Sequence, residues 1–150
     1  MRGFRVSRTL LIALICLGAV CFLLPVVWPL YFFPLIWGFL ALILDSINCW
    51  RGLPSILACW SRGNWRVPAA FYIAGLVCGL LWEFWNYWAF PKWFYTVPFV
   101  GFLKVFEMPL LGYLGYGPFA WEVYALFWFV AGLVPGRAAV LRRVQEEPVR

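Results

Sequence analysis

Glu83, Lys92, Lys104, Glu107 and Glu122 are ionisable side chains standing in or beside long apolar stretches. A charge placed within a membrane segment costs about 2.5–3.5 kcal/mol on insertion scales, so such groups turn toward a bundle interior, a cavity or a partner. Here they cluster near the outer ends of the last two apolar stretches, or between them, which suggests one shared site. In LWEFWNYW, residues 81–88, Glu83, Asn86 and Tyr87 fall at i, i+3 and i+4 and share a helical face, with Trp82, Trp85 and Trp88 on neighbouring faces. Two accounts stay open: an aromatic belt at the membrane interface with Glu83 reaching to water or another helix, or a polar cluster with a structural or functional task.

Lys104 and Glu107 are three apart and pair if FLKVFEM is helical, with Pro109 ending that helix. The pair is then either a weak surface contact or part of a cavity wall. Glu122 follows Gly117 and Pro118 in the first turns of a final helix, where the helix dipole favours a carboxylate. It can also face Glu83, and two carboxylates sharing a dry cavity push one of them toward its protonated form, keeping a proton available at neutral pH. The chemistry this allows is protonation of a double bond, with aromatic faces stabilising the cation. Glu83, Glu107 or Glu122 would be the acid, and Trp82, Trp85, Trp93, Tyr95, Asn86, Tyr87 and Lys104 the binding residues.

The elements that must position these residues follow from composition. The chain is 65% hydrophobic with a mean hydropathy of +0.86, well above the roughly 45–50% apolar content of soluble domains. A water-soluble core of 150 residues could not hide that surface. The net charge of +6 sits at the N-terminus, around 51–66 and at the C-terminus, flanking apolar runs. That is the positive-inside pattern, and it argues for contacts with anionic lipid and against nucleic-acid binding. Cys16, Cys21, Cys49, Cys59 and Cys78 show no CxxC spacing and there is no histidine, so no metal site or cofactor is expected.

Residues 10–44 carry no charge, too long a run for one crossing of about 20 residues. Pro25, Pro29 and Pro34 break it, giving spans of about 9–26 and 30–46 joined by a tight bend. The basic segment 45–67 reads as a loop with a short interfacial helix at Pro54–Trp60. A third span covers about 68–88 and contains Gly75 and Gly79 at the spacing that lets another helix approach closely. A fourth covers about 118–134. Between them, 91–117 is broken by Pro91, Pro98, Pro109 and several glycines. A full crossing there would put the basic C-terminus opposite the other two basic regions, so a re-entrant or interfacial element fits the charge bias better. The expectation is a single all-α membrane domain with about four transmembrane helices, both termini cytoplasmic, an uncleaved first helix, and membrane lipids, further membrane subunits or its own copies as partners.

Three blocks carry a resemblance: WGFLALILDSINCWRGLPSIL at 37–57, CGLLWEFWNYWAFPKWFYTVPF at 78–99 and KVFEMPLLGYLGYGPFAWEVYALF at 104–127. Over about two thirds of its length, the chain resembles an uncharacterised family of small bacterial polytopic inner-membrane proteins. That resemblance implies an architecture and a bacterial inner-membrane location, without an activity. A looser likeness links it to lycopene cyclase-type membrane domains, in which paired acids closely follow a proline. The nearest segments here, Glu107-Met108-Pro109 and Pro118 to Glu122, lack the adjacent acid pair. Three functions remain open: binding or acting on a lipid-soluble, isoprenoid-like molecule through intramembrane carboxylates; a non-catalytic membrane subunit or assembly factor; and a small transporter or channel subunit.

Overall fold

A computed structural model describes residues 4–96, 98 and 101–134. The basic C-terminal residues 137, 142 and 143, and part of the expected broken segment 91–117, lie outside the described residues. Helix α1 runs over Arg8–Val27, with the Ser7 hydroxyl accepting the Leu10 N–H at its start. The chain turns at Trp28 and enters a second span, Pro29–Trp50, built of unlike pieces. These are α2 (Pro29–Phe32), a 3-10 turn (Phe33–Trp37), a π-helical turn (Ala41–Asp45) and α3 (Ser46–Trp50). Prolines 29 and 34 fix the start of this irregularity, because proline offers no N–H to the helix ladder.

The short helix expected at Pro54–Trp60 is α4 (Ile56–Ser61), and it is held inside the fold: Leu53, Ile56, Leu57 and Cys59 are all buried. Helix α5 covers Arg66–Trp88 and α6 covers Tyr116–Ala131. Three segments, Arg8–Val27, Pro29–Trp50 and Arg66–Trp88, are long and apolar enough to cross a membrane. Where the fourth span is expected, at about 118–134, stands α6, whose 16 residues are fewer than those of the other three segments. Large apolar side chains stand exposed along α1 and α5, among them Leu17, Leu23, Val26, Ile73, Val77 and Leu81. Such a belt would aggregate in water and is at home against acyl chains.

The described residues of 89–115 form no α-helix. The stretch FLKVFEM, in which Lys104 and Glu107 would pair if it were helical, enters a hairpin instead, in which β1 (Lys104–Val105) pairs antiparallel with β2 (Met108–Pro109). Phe106 in its two-residue turn has φ of 58°, the left-handed region a helix cannot use. A 3-10 stretch, Leu110–Gly115, leads from the hairpin into α6.

Helices α5 and α6 cross closely because three glycines let them. A Cβ on Gly75 would fall 2.3 Å from the Tyr116 carbonyl, one on Gly79 2.3 Å from the Tyr116 ring, and one on Gly117 2.0 Å from the Tyr72 ring. Tyr116 therefore meets α5 well before its end. Trp88 lies nine positions beyond Gly79, about 13 Å at 1.5 Å per residue. The described parts of 89–115 accordingly fold back beside that half of α5. Gly18 does the same for α1, where a Cβ would lie 2.6 Å from Ile43.

Leucine at Gly79 must displace the Tyr116 ring, so Gly79→Leu should cost about 1–3 kcal/mol of stability. Thermal unfolding in detergent, followed by loss of the monodisperse peak, measures it. An unchanged midpoint would mean that the helices do not cross at this point.

Candidate functional site

The glycine face of α5 continues through Glu83 and Asn86, since buried residues on that helix fall at 75, 79, 83 and 86. Glu83 is 0% exposed. Its Oε1 accepts two phenolic hydroxyls, Tyr95 at 2.5 Å and Tyr116 at 3.0 Å. Its Oε2 is buried and has no hydrogen-bond partner among the described residues. Three separate pieces of chain thus meet on one carboxyl: α5, the loop after it and the first residue of α6. Burial, and then the hydrogen bond to Glu83, push the Tyr95 hydroxyl up from its ordinary 10 to about 12. Tyr113, on the 3-10 stretch, is likewise pushed up to about 12, by burial first and the Glu83 charge second. Both phenols therefore stay protonated, and Tyr95 keeps donating to Glu83.

One turn further along, Asn86 holds the loop by its backbone. Its Nδ2 donates to the Trp93 carbonyl at 2.8 Å and its Oδ1 accepts the Trp93 N–H at 2.7 Å. Lys92 ion-pairs with Glu107 at 2.5 Å and lies over the rings of Tyr87 and Phe94 at 5.0 and 5.3 Å. Lys104, expected to pair with Glu107, instead lies exposed on β1. The hairpin turn separates the two, and Glu107 takes its cation from the loop. Tyr87 leans off the buried face and packs against Phe106, with ring centroids 5.7 Å apart. Trp82, Trp85 and Trp93 are 57%, 68% and 63% exposed. Of the aromatic candidates, Tyr95 is the one bonded directly to the buried acid, with the Trp82 indole contacting its hydroxyl.

Glu122 does not join Glu83. Its Oε1 accepts the Leu40 N–H at 2.9 Å, a backbone donor left over where the second span changes from 3-10 to π geometry. Asp45, placed at the head of a loop on the sequence alone, performs a similar task. Its two carboxylate oxygens accept the Ile56 and Leu57 N–H groups at 2.7 and 2.8 Å, while the Ser55 hydroxyl takes Ala58 N–H at 3.0 Å. The first turn of α4 is thereby fully capped. The signal that was available is Ser55 ahead of an apolar run, which marks a helix start.

A groove of about 650 Å³ lies elsewhere, between α1, the second span, α4 and the start of α6. Its wall is almost wholly apolar, with Leu10, Leu14, Trp37, Leu42, Leu57 and Trp121 typical, and Asp45 the one acid on it. From Leu10 to Cys21 it follows α1 for about 16 Å. Among the described residues no group of three or more Cys, Asp or Glu side chains is placed to hold a metal ion.

No family model, curated protein or solved structure matches the chain. The site consists of an acid cluster that ties the end of α5 and the loop after it to the start of α6, and a separate apolar groove that none of Glu83, Glu107 and Glu122 lines.

Two outcomes test the cluster. Tyr95→Phe leaves Glu83 short of a donor and should cost about 1–3 kcal/mol, while the same change in a Glu83→Leu background should cost much less; additive losses in a double-mutant cycle would break the assignment. The raised Tyr95 value also sets an alkaline limit, because the stability it brings is complete below pH 10 and is lost as pH rises to about 12. Melting temperatures over that interval should fall less steeply in Tyr95→Phe than in the parent.

Proposed function

We propose that this protein is a multi-pass membrane protein that holds a lipid-soluble, isoprenoid-like molecule in the apolar groove between α1, the second span and α6. The observation that carries this reading is the groove itself. Its volume of about 650 Å³ falls within the usual 300–1,000 Å³ of small-molecule sites, and its wall offers almost nothing to a polar ligand. In this reading α6 is the fourth span. Its 16 residues reach about 24 Å, and the 3-10 lead-in extends that toward the roughly 30 Å of a hydrocarbon core. The segment 89–115 is then re-entrant, lying beside the outer half of α5 and bonded to it through Asn86 and Glu83. The basic ends face the cytoplasm, and the family resemblance supports a bacterial inner membrane.

The geometry favours binding over acid catalysis. Glu107 is neutralised by Lys92, Glu122 and Asp45 hold backbone amides, and Glu83 carries two phenols. The same observation favours a second reading, a non-catalytic subunit or assembly factor whose polar residues keep its helices together.

The two readings separate at the groove. Gly38 and Gly115 line it, and an added Cβ there meets nothing closer than 3.7 Å and 3.9 Å, so side chains can enter the cavity without disturbing the backbone. Farnesol binding to purified protein in detergent, followed by quenching of tryptophan fluorescence, should weaken about tenfold, or ~1.4 kcal/mol, in Gly38→Leu and in Gly115→Leu. Melting temperatures should stay near the parent value. Equal binding by parent and both variants would leave the subunit reading.

A further inference from the structure

Resting on the reading of the groove as a binding site, we infer that its occupant is an anionic amphiphile: an apolar chain in the groove carrying a phosphate at the end where α1 begins. The groove has two unlike ends. At one stand Cys21, Pro34 and Gly115, which bring no charge. At the other stand Phe4, Leu10, Leu57 and Trp60. That second end is stitched together by the Phe4 N–H, which donates to the Ser61 carbonyl at 3.0 Å. Arg5 follows Phe4 and Arg62 follows Ser61, so the bond brings both arginines to the same mouth. Arg8 opens α1 two residues before Leu10, adding a third cation at this level.

All three side chains are exposed, and none forms an ion pair with a described residue. The acid on the groove wall, Asp45, is turned to other use, since its two oxygens accept the Ile56 and Leu57 amides. A neutral occupant would leave the three guanidinium groups serving only topology. A phosphate head at the mouth gives them bidentate acceptors while the chain stays in the dry part of the groove. The charge of the mouth and the apolar wall behind it together fit one molecule with both properties.

The experiment compares farnesyl monophosphate, farnesol and inorganic phosphate on the full-length protein in neutral detergent, read by quenching of tryptophan fluorescence. The phosphate-headed chain should bind at least about tenfold more tightly than the alcohol. That advantage should shrink to about twofold in Arg5→Gln/Arg62→Gln and persist in Lys104→Gln, which removes a charge from the opposite end of the molecule. High salt should erode it in the parent protein without weakening farnesol, a check that needs no variant to fold. Inorganic phosphate alone should neither quench nor compete. Equal affinity for phosphate and alcohol, or an advantage untouched by salt and by the arginine variant, overturns the head-group assignment and leaves the groove. Competition by inorganic phosphate alone overturns it in favour of a free-anion site. Absence of binding by either chain removes the groove reading itself.

Discussion

Backbone amides that lose their helical partners in an apolar layer must find another acceptor inside the protein, because no water is there to supply one. This constraint organises the fold. The chain breaks its helices at several points, and polar side chains from elsewhere take up several of the freed groups. Glu122 reaches the Leu40 N–H where the second span changes geometry, Asp45 receives the first amides of α4, and Asn86 closes both hydrogen bonds with the backbone of Trp93. Carbonyls also receive side-chain donors: Asn48 donates to Ala125, Arg51 to Gly132 at the end of α6, and the Trp121 indole to Pro68. An unmet amide costs several kcal/mol in such surroundings, so each of these side chains is worth more than its single bond would be in water.

The same constraint explains how much of this arrangement was legible in the sequence. Long charge-free runs and prolines located the helices within a few residues, because lipid exposure is a compositional property. The Gly75 and Gly79 spacing marked a close crossing, and Tyr116 occupies it. The partners of the acids were harder to read. Glu122 and Leu40 are 82 positions apart, and no local pattern announces that a π-helical turn will leave an amide for a distant carboxylate. Asp45 was missed as a buried acid because it stands where an apolar run meets a basic segment, which looks like the end of a span. The hairpin at 104–109 was hidden because its turn residues, Phe106 and Glu107, carry neither glycine nor asparagine to mark it.

Around Glu83 the sequence showed the face but not the direction of its neighbours. Glu83 and Asn86 share one side of α5, and once they point inward the helical period turns Trp82 and Trp85 outward, to the surface where indoles suit a lipid interface. The residues that complete the cluster are phenols from farther along the chain. Tyr95 is brought in by the Asn86 clamp on its neighbouring loop, and Tyr116 by the glycine crossing. Packing therefore decides which aromatic residues touch the acid, and a pattern confined to one helix cannot rank them.

A division of labour follows. Side chains with the strongest chemistry are committed to holding irregular backbone, which leaves the groove to be built from what remains: aliphatic and aromatic surface with glycines at its wall. The acids facing Leu40, Lys92 and the α4 amides are engaged in these contacts. Glu83 keeps one free oxygen, yet that oxygen is sealed and its carboxyl forms no part of the groove wall. The irregular second span lines the groove and also leaves the Leu40 amide that Glu122 accepts, so this wall of the cavity and its carboxylate support arise from one structural choice. Regularising the second span into a straight α-helix would release Glu122 from its amide and alter the groove along Pro34–Leu42 at the same time.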